Sequence, residues 1–330
     1  MPETAVDPLF LVSLPRSGST LLQRMLGAHD QISTSPEPTF LLPLLHIDRD
    51  SDVLATFDQK YTAWAVQDFV TSLPRGRDDY RDAVAAFGRD LYRRAAADGA
   101  RYHLDKTPKY HLIVDELVDL FDSSTVVLLW RNPLAVIASM MTTWGRGGGR
   151  WNLSHFRIDL YEGLPKMIDV AERYPDRVVE VSYESLVMDP DAAVAPIFDR
   201  LGLAAADSMA ERFKDVELVG RVQDPNAGHS DFQTVRTDRV DEWQEVLANP
   251  VRRAWSKRYL NWLGAERLGR MGYDLGELLD TLEAAPASRR FLFTDLVDVP
   301  LDVANRAAEF RLVGKKLRDR KDGRGLLAHK

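Results

Sequence analysis

Short runs of consecutive apolar residues recur along this chain, and each is followed by a stretch in which apolar positions return every three or four residues. Four runs are predicted to be strands: Leu9 to Leu14, Arg101 to Leu104, Thr125 to Trp130 and Val178 to Ser182. Runs this short without polar alternation suit strands buried on both faces, and strand–helix alternation predicts an α/β fold with a parallel sheet wrapped by helices. Gly18 to Ala28 is the first predicted helix, and Asp52 to Leu73 and Asp79 to Ala97 are two long helices inserted before the second strand. Pro133 to Met141 begins with proline at the first helical position, where the missing N–H costs nothing. Leu153 to Tyr174 is a further helix, kinked at Pro165. Beyond about Asp189 the pattern is helical, with Asp238 to Leu247 and Pro250 to Leu263 the clearest segments. A polar stretch from Val219 to Thr237, rich in Gly, Asn, Asp and Ser, is predicted to be a loop.

Composition narrows the chemistry. The 330 residues include no cysteine, so disulfides, thiolate catalysis and cysteine-bound metals are excluded. A formal charge of −7 argues against a general nucleic-acid partner, so any polyanion site must be local. No apolar run is long enough to span a bilayer, and the first eight residues carry acids rather than the basic-then-apolar order of a secretion signal. A cytoplasmic protein is expected. Residues 315–330 are basic and are expected to form a solvated tail.

The most informative segment is the run from Phe10 to Leu22, where an apolar strand enters the turn Leu14-Pro15-Arg16-Ser17-Gly18-Ser19-Thr20 and then a helix. Successive backbone N–H groups at such a turn, with a helix N-terminus behind them, form an anion site. Gly18 allows close backbone approach, Ser17, Ser19 and Thr20 supply hydroxyls, and Arg16 supplies a forked cation. The loop is not of the Walker type: Leu14 stands where the first glycine belongs, and Ser19 where lysine is needed. A second anion site is predicted where the strand Thr125 to Trp130 ends in Arg131, with Ser139 about two helical turns further on.

These segments resemble the PAPS-dependent sulfotransferase family, PAPS being 3′-phosphoadenosine-5′-phosphosulfate. The similarity is greatest to the branch that includes tyrosylprotein sulfotransferases and bacterial homologues, and it covers roughly residues 9–203. It implies a P-loop-like parallel sheet within one sulfotransferase domain. In that arrangement residues 1–205 form the nucleotide-binding core, with a helical insertion at 48–100, and residues 206–330 a mostly helical part. The resemblance gives Leu14 to Leu22 the 5′-phosphosulfate, with Arg16 as a catalytic cation, and gives Arg131 and Ser139 the 3′-phosphate. Tyr183, in the segment Val181-Ser182-Tyr183-Glu184, would lie near the nucleotide. Ser35-Pro36-Glu37-Pro38-Thr39 resembles the stretch carrying the catalytic glutamate, and Leu104-Asp105-Lys106-Thr107-Pro108-Lys109 resembles a strand-end motif whose lysine holds the transferring group. The small-molecule branch has a histidine base two residues after that lysine, where this chain has Pro108. Glu37 is therefore the expected general base, with His103 and His111 as competitors. The family also brings late-loop residues to the 3′-phosphate; Ser230 and Arg236 are the candidates, with Arg239 equally placed.

The implied reaction passes a sulfuryl group from PAPS to a hydroxyl acceptor and leaves adenosine 3′,5′-bisphosphate, without a metal. A small molecule, lipid or sugar is expected as acceptor in preference to a protein. Trp64, Phe69, Tyr80 and Phe87 are read as core, or alternatively as pocket lining, and the glycine-rich loop from Trp144 to Trp151 as a connection or a lid. The competing functions are a P-loop kinase-type phosphotransferase using Mg-ATP and a non-catalytic nucleotide-binding protein.

Overall fold

The computed structural model describes residues 6–46, 59–145, 149–204, 209–218, 237 and 239–308. Five parallel strands form one sheet in the order β2-β3-β1-β4-β5, with β1 at Asp7–Ser13, β2 at Ile32–Thr34, β3 at Tyr102–Asp105, β4 at Thr125–Trp130 and β5 at Val178–Ser182. Along central β1 both faces are buried: Phe10 and Val12 join one apolar cluster and Leu9 and Leu11 the other. That is why the strand reads as an unbroken apolar run. β2 was not predicted. It has three residues, two of them polar, and pairs with β3 from Ile32↔Tyr102 to Thr34↔Leu104.

Helix α1 (Ser19–Gly27) follows β1, and α2 (Leu41–His46) follows the β2 exit. Of the two predicted inserted helices, α3 covers Gln59–Thr71 and α4 Arg77–Ala95. Trp64, Phe69 and Phe87 in these helices are about half exposed, which corrects their reading as core. Tyr80 is partly buried and donates its hydroxyl to the Leu44 carbonyl at 2.8 Å. α5 (Val114–Leu120) precedes β4, and α6 (Pro133–Trp144) follows it. Asn132 caps α6 by accepting from the Leu134 N–H at 2.9 Å.

The predicted kink near Pro165 takes the form of a π-turn at Asp159–Gly163, immediately before the helix Leu164–Arg173. Pro165 has no N–H to donate to residue 161, so the ladder widens there. The remaining described helices are Tyr183–Met188, Pro190–Leu201, Met209–Arg212, Trp243–Val246, Pro250–Arg270, Leu275–Ala284 and Leu292–Ala308. Of the segment predicted as helical from Asp238 to Leu247, the described residues are helical over Trp243–Val246, whereas Pro250–Arg270 runs beyond its predicted end at Leu263. Among the described residues, no helix is long and apolar enough to cross a membrane.

Candidate active site

In a parallel sheet all carboxyl ends share one edge, and ligands gather there. The strand order decides which segments meet: the segment after β2 bearing Glu37, the one after β3 bearing Lys106, the turn after β1, Arg131 after β4, and Tyr183 after β5. Residues far apart in the chain thus line one edge in a fixed sequence.

The turn after β1 is strained and packed. Arg16 is a non-glycine residue at φ +71° and Gly18 sits at φ +91°, where it opens α1 and its carbonyl accepts from the Leu21 N–H at 3.0 Å. A Cβ on Gly18 would come within 2.4 Å of the Tyr183 ring, so glycine is required both by conformation and by contact. Ser17, Ser19 and Thr20 are buried.

On the β4–β5 side, four expected residues converge: Arg131, Tyr183, Arg16 and Ser139. The Arg131 guanidinium lies 4.1 Å from the Tyr183 ring centroid. It donates to the Arg16 carbonyl at 2.8 Å and to the Arg239 carbonyl at 3.4 Å. Its Nε is buried with no hydrogen-bond partner among the described residues. Burial lowers its pKa and the nearby Arg16 charge acts in the same direction, while Tyr183 and Glu184 oppose them. Arg16 itself points away from the turn: its Nε donates to Ser139 Oγ at 3.3 Å and its guanidinium lies 5.5 Å from the Trp144 ring centroid. Arg16 and Ser139, assigned to opposite ends of a nucleotide, therefore touch. Arg239, the alternative late-loop residue, reaches this cluster through its carbonyl. Ser230 and Arg236 lie outside the described residues.

On the β2–β3 side, Lys106 Nζ donates to Glu37 Oε1 at 2.5 Å, with the two side chains 4% and 13% exposed. The Glu37 segment is pinned to α1, because Gln23 donates to both Thr34 Oγ1 and the Ser35 carbonyl at 2.9 Å. Thr39, at φ +60°, closes the turn, and its N–H donates to Thr107 Oγ1 at 3.3 Å. Beneath Lys106 lies a network the sequence did not disclose. Asp105 is fully buried and accepts hydroxyl bonds from Tyr92 at 2.6 Å, Tyr110 at 2.9 Å and Thr107 at 2.9 Å. Burial still pushes its pKa up to about 6.

The two competing histidines are enclosed. His103 is stacked on Tyr92 with Ser33 Oγ 2.9 Å from its Nδ1, and burial lowers its pKa to about 4. His111 is fully buried, with Nε2 2.7 Å from Asp159 Oδ1, a carboxylate that also accepts from Lys109. Among the described residues, no three His, Asp or Glu side chains gather in a metal-holding group.

A strand–turn–helix at the carboxyl edge of a five-stranded parallel sheet flanked by helices defines an α/β protein with a P-loop-like fold. Residues 8–207 match the sulfotransferase family model, so the chain belongs to the sulfotransferase family. It is 31% identical over 295 residues to nodulation protein NoeE of Sinorhizobium fredii, covering 82% of this chain and 67% of that protein. It is 26% identical over 296 residues to protein-tyrosine sulfotransferase 2 of Gallus gallus, covering 81% of this chain and 69% of that protein. In fold it is similar to a sulfotransferase domain from the curacin biosynthetic pathway, with a TM-score of 0.51, 22% identity, and coverage of 73% of this chain and 91% of that one.

Proposed function

We propose that this protein moves the sulfuryl group of PAPS onto the hydroxyl of a small molecule, lipid or sugar, with Glu37 as general base. The observation that carries this reading is the nearly buried Glu37–Lys106 contact at the strand ends beside the β1 turn. A carboxylate and an ammonium held together there can divide the work of an in-line transfer. Glu37 takes the acceptor hydroxyl proton as the new O–S bond forms. Lys106 and Arg16 stabilise charge on the sulfuryl oxygens and on the bridging oxygen as its bond to sulfur breaks. The leaving group is adenosine 3′,5′-bisphosphate. The hydroxyls of Ser17, Ser19 and Thr20 at the turn and the helix N-terminus behind them suit the 5′-phosphate, and the Nε of Arg131, without a partner among the described residues, suits a 3′-phosphate.

Thermal-shift measurements with adenosine 3′,5′-bisphosphate, ADP and Mg-ATP test the nucleotide reading, since a ligand of the folded state raises the midpoint by mass action. The bisphosphate is expected to give the largest shift, and that shift is expected to persist in EDTA. Equal stabilisation by ADP would remove the 3′-phosphate from the reading. A preference for Mg-ATP abolished by EDTA would replace sulfuryl with phosphoryl transfer.

A further inference from the structure

The helix Leu292–Ala308 is turned the wrong way round for an ordinary surface helix. Its acids face the protein and its apolar residues face outward. Asp295 is fully buried against Arg252, with Arg252 Nε donating at 2.6 Å. Asp298 accepts two bonds from Arg150, at 2.6 and 2.9 Å, and Asp302 accepts from Trp151 Nε1 at 3.1 Å. Every acid between residues 292 and 304 is used in this way. On the opposite side Phe293 is 81% exposed, and Leu296, Val297, Leu301 and Val303 are 53–55% exposed. At 100° per residue these five, with Pro300 and Ala304 between them, form one continuous outer face without a charged side chain. Scattered exposed apolar residues are ordinary, whereas a contiguous apolar helix face marks a contact surface.

We propose that this face docks on an anionic membrane surface. The charge on either side selects that partner. Arg289 and Arg290 are exposed just before the helix, and residues 309–330 carry eight Lys or Arg against three Asp or Glu. An apolar helix face between basic flanks has the two attractions that hold a helix in the interface of an anionic bilayer. A second copy of the chain fits less well. Pairing two such helices in either direction sets basic flank against basic flank, with every acid of the helix already engaged inward. The inference does not depend on the sulfuryl-transfer reading.

The test is co-sedimentation of the full-length protein with phosphatidylcholine vesicles and with phosphatidylcholine–phosphatidylglycerol vesicles. Binding is expected only to the anionic vesicles and is expected to weaken as salt is raised. The double variant Phe293→Ser/Leu296→Ser removes two exposed apolar side chains and is expected to lower the bound fraction about tenfold or more. Lys315→Glu/Lys316→Glu is expected to lower binding to anionic vesicles by a smaller factor. Both should keep the wild-type thermal midpoint and bisphosphate response, which separates lost docking from lost folding. Wild-type protein remaining in solution with anionic vesicles would overturn the proposal, as would wild-type-like binding by the Phe293/Leu296 variant. A wild-type dimer in analytical ultracentrifugation that the same variant dissociates would assign the face to a second copy instead.

Discussion

Among the described residues, the buried pairs Arg252–Asp295 and Lys106–Glu37 are bonded in opposite ways. In the helical C-terminal region, Arg252 gives two bonds to Asp295, one to the Gly149 carbonyl at 2.6 Å and one to the Val246 carbonyl at 3.0 Å. Asn249 adds a further bond to Asp295 at 2.7 Å, and Phe291 lies under the guanidinium. At the sheet edge, Lys106 and Glu37 have one hydrogen bond between their side chains. Lys106 uses one of its three N–H groups on Glu37, whereas Arg252 makes four bonds with its five. A buried pair bonded on all sides suits a structural role; a pair with fewer partners at the sheet edge suits the role proposed for Lys106 and Glu37. Burial alone does not distinguish the two, but the partner count does.

The largest effect that would break this contrast is kinetic. Glu37→Gln keeps the size and an acceptor for Lys106 while removing the base, and it is expected to lower kcat by about 10²–10⁴. Bisphosphate affinity should stay near wild type. Rates measured beside His103→Asn and His111→Asn check the assignment: a nearly active Glu37→Gln with a dead histidine variant would transfer the role to that histidine. Arg252→Met should behave in the opposite way. Removing one member of this buried pair strands the other charge, and unfolding in urea should show a loss of about 3–5 kcal/mol. The double variant Arg252→Met/Asp295→Leu should recover part of that loss. An unchanged unfolding midpoint in Arg252→Met would mean that its bonds carry no net stability.

A smaller effect is expected from Arg131→Ala, which removes charged hydrogen bonds worth about 1.5–3 kcal/mol and should weaken bisphosphate binding about tenfold or more. Calorimetry with ADP alongside sharpens the point, because ADP affinity should change much less. The smallest effect is confined to acid. His103 is lowered from 6.5 to about 4 by burial, so the unfolded chain takes up this proton first as the pH falls, and stability is lost across that window. Asp105 is raised from 3.8 to about 6 by burial, so here the folded chain takes the proton first, and stability is gained as the pH falls through 6 towards 3.8. The two trends oppose one another. Urea unfolding followed from neutral pH into this window should show His103→Asn losing less stability than the wild type and Asp105→Asn losing more. Parallel curves would remove both groups from the acid response.

The sheet was largely legible because β1 and β4 are apolar on both faces and need no partner to be recognised, while β5 is apolar on one face and β3 is weaker, with His103 and Asp105 beside Leu104. β2 escaped notice because Ile32-Ser33-Thr34 is short and its polar residues are bonded locally, Ser33 to His103 and Thr34 to the Leu104 carbonyl. The turn, Arg131, Ser139, Glu37 and Lys106 were each visible as motif residues, but their adjacencies were not. Glu37 and Lys106 are 69 residues apart, and only the β2-β3 pairing joins them. Asp105 gave no signal, since a carboxylate held by three hydroxyls looks like any strand-end acid until the fold encloses it. The aromatic residues of α3 and α4 were read as core from their type, yet the insertion leaves one side of these helices open to solvent. The inverted helix at Leu292–Ala308 escaped for a related reason. Periodicity reveals an apolar face but not which way it turns, and that was decided by Arg150, Trp151 and Arg252 claiming its acids.

The hydrogen bond from Arg131 to the Arg16 carbonyl has a metric consequence. That carbonyl belongs to the turn after β1, while Arg131 follows the neighbouring strand, so the two segments proposed for the two ends of the nucleotide are joined through one peptide group at 2.8 Å. On the proposed reading, a ligand with an anion at each end would meet a caliper whose opening that bond sets. One whose charges are spaced differently would have to break that bond to enter.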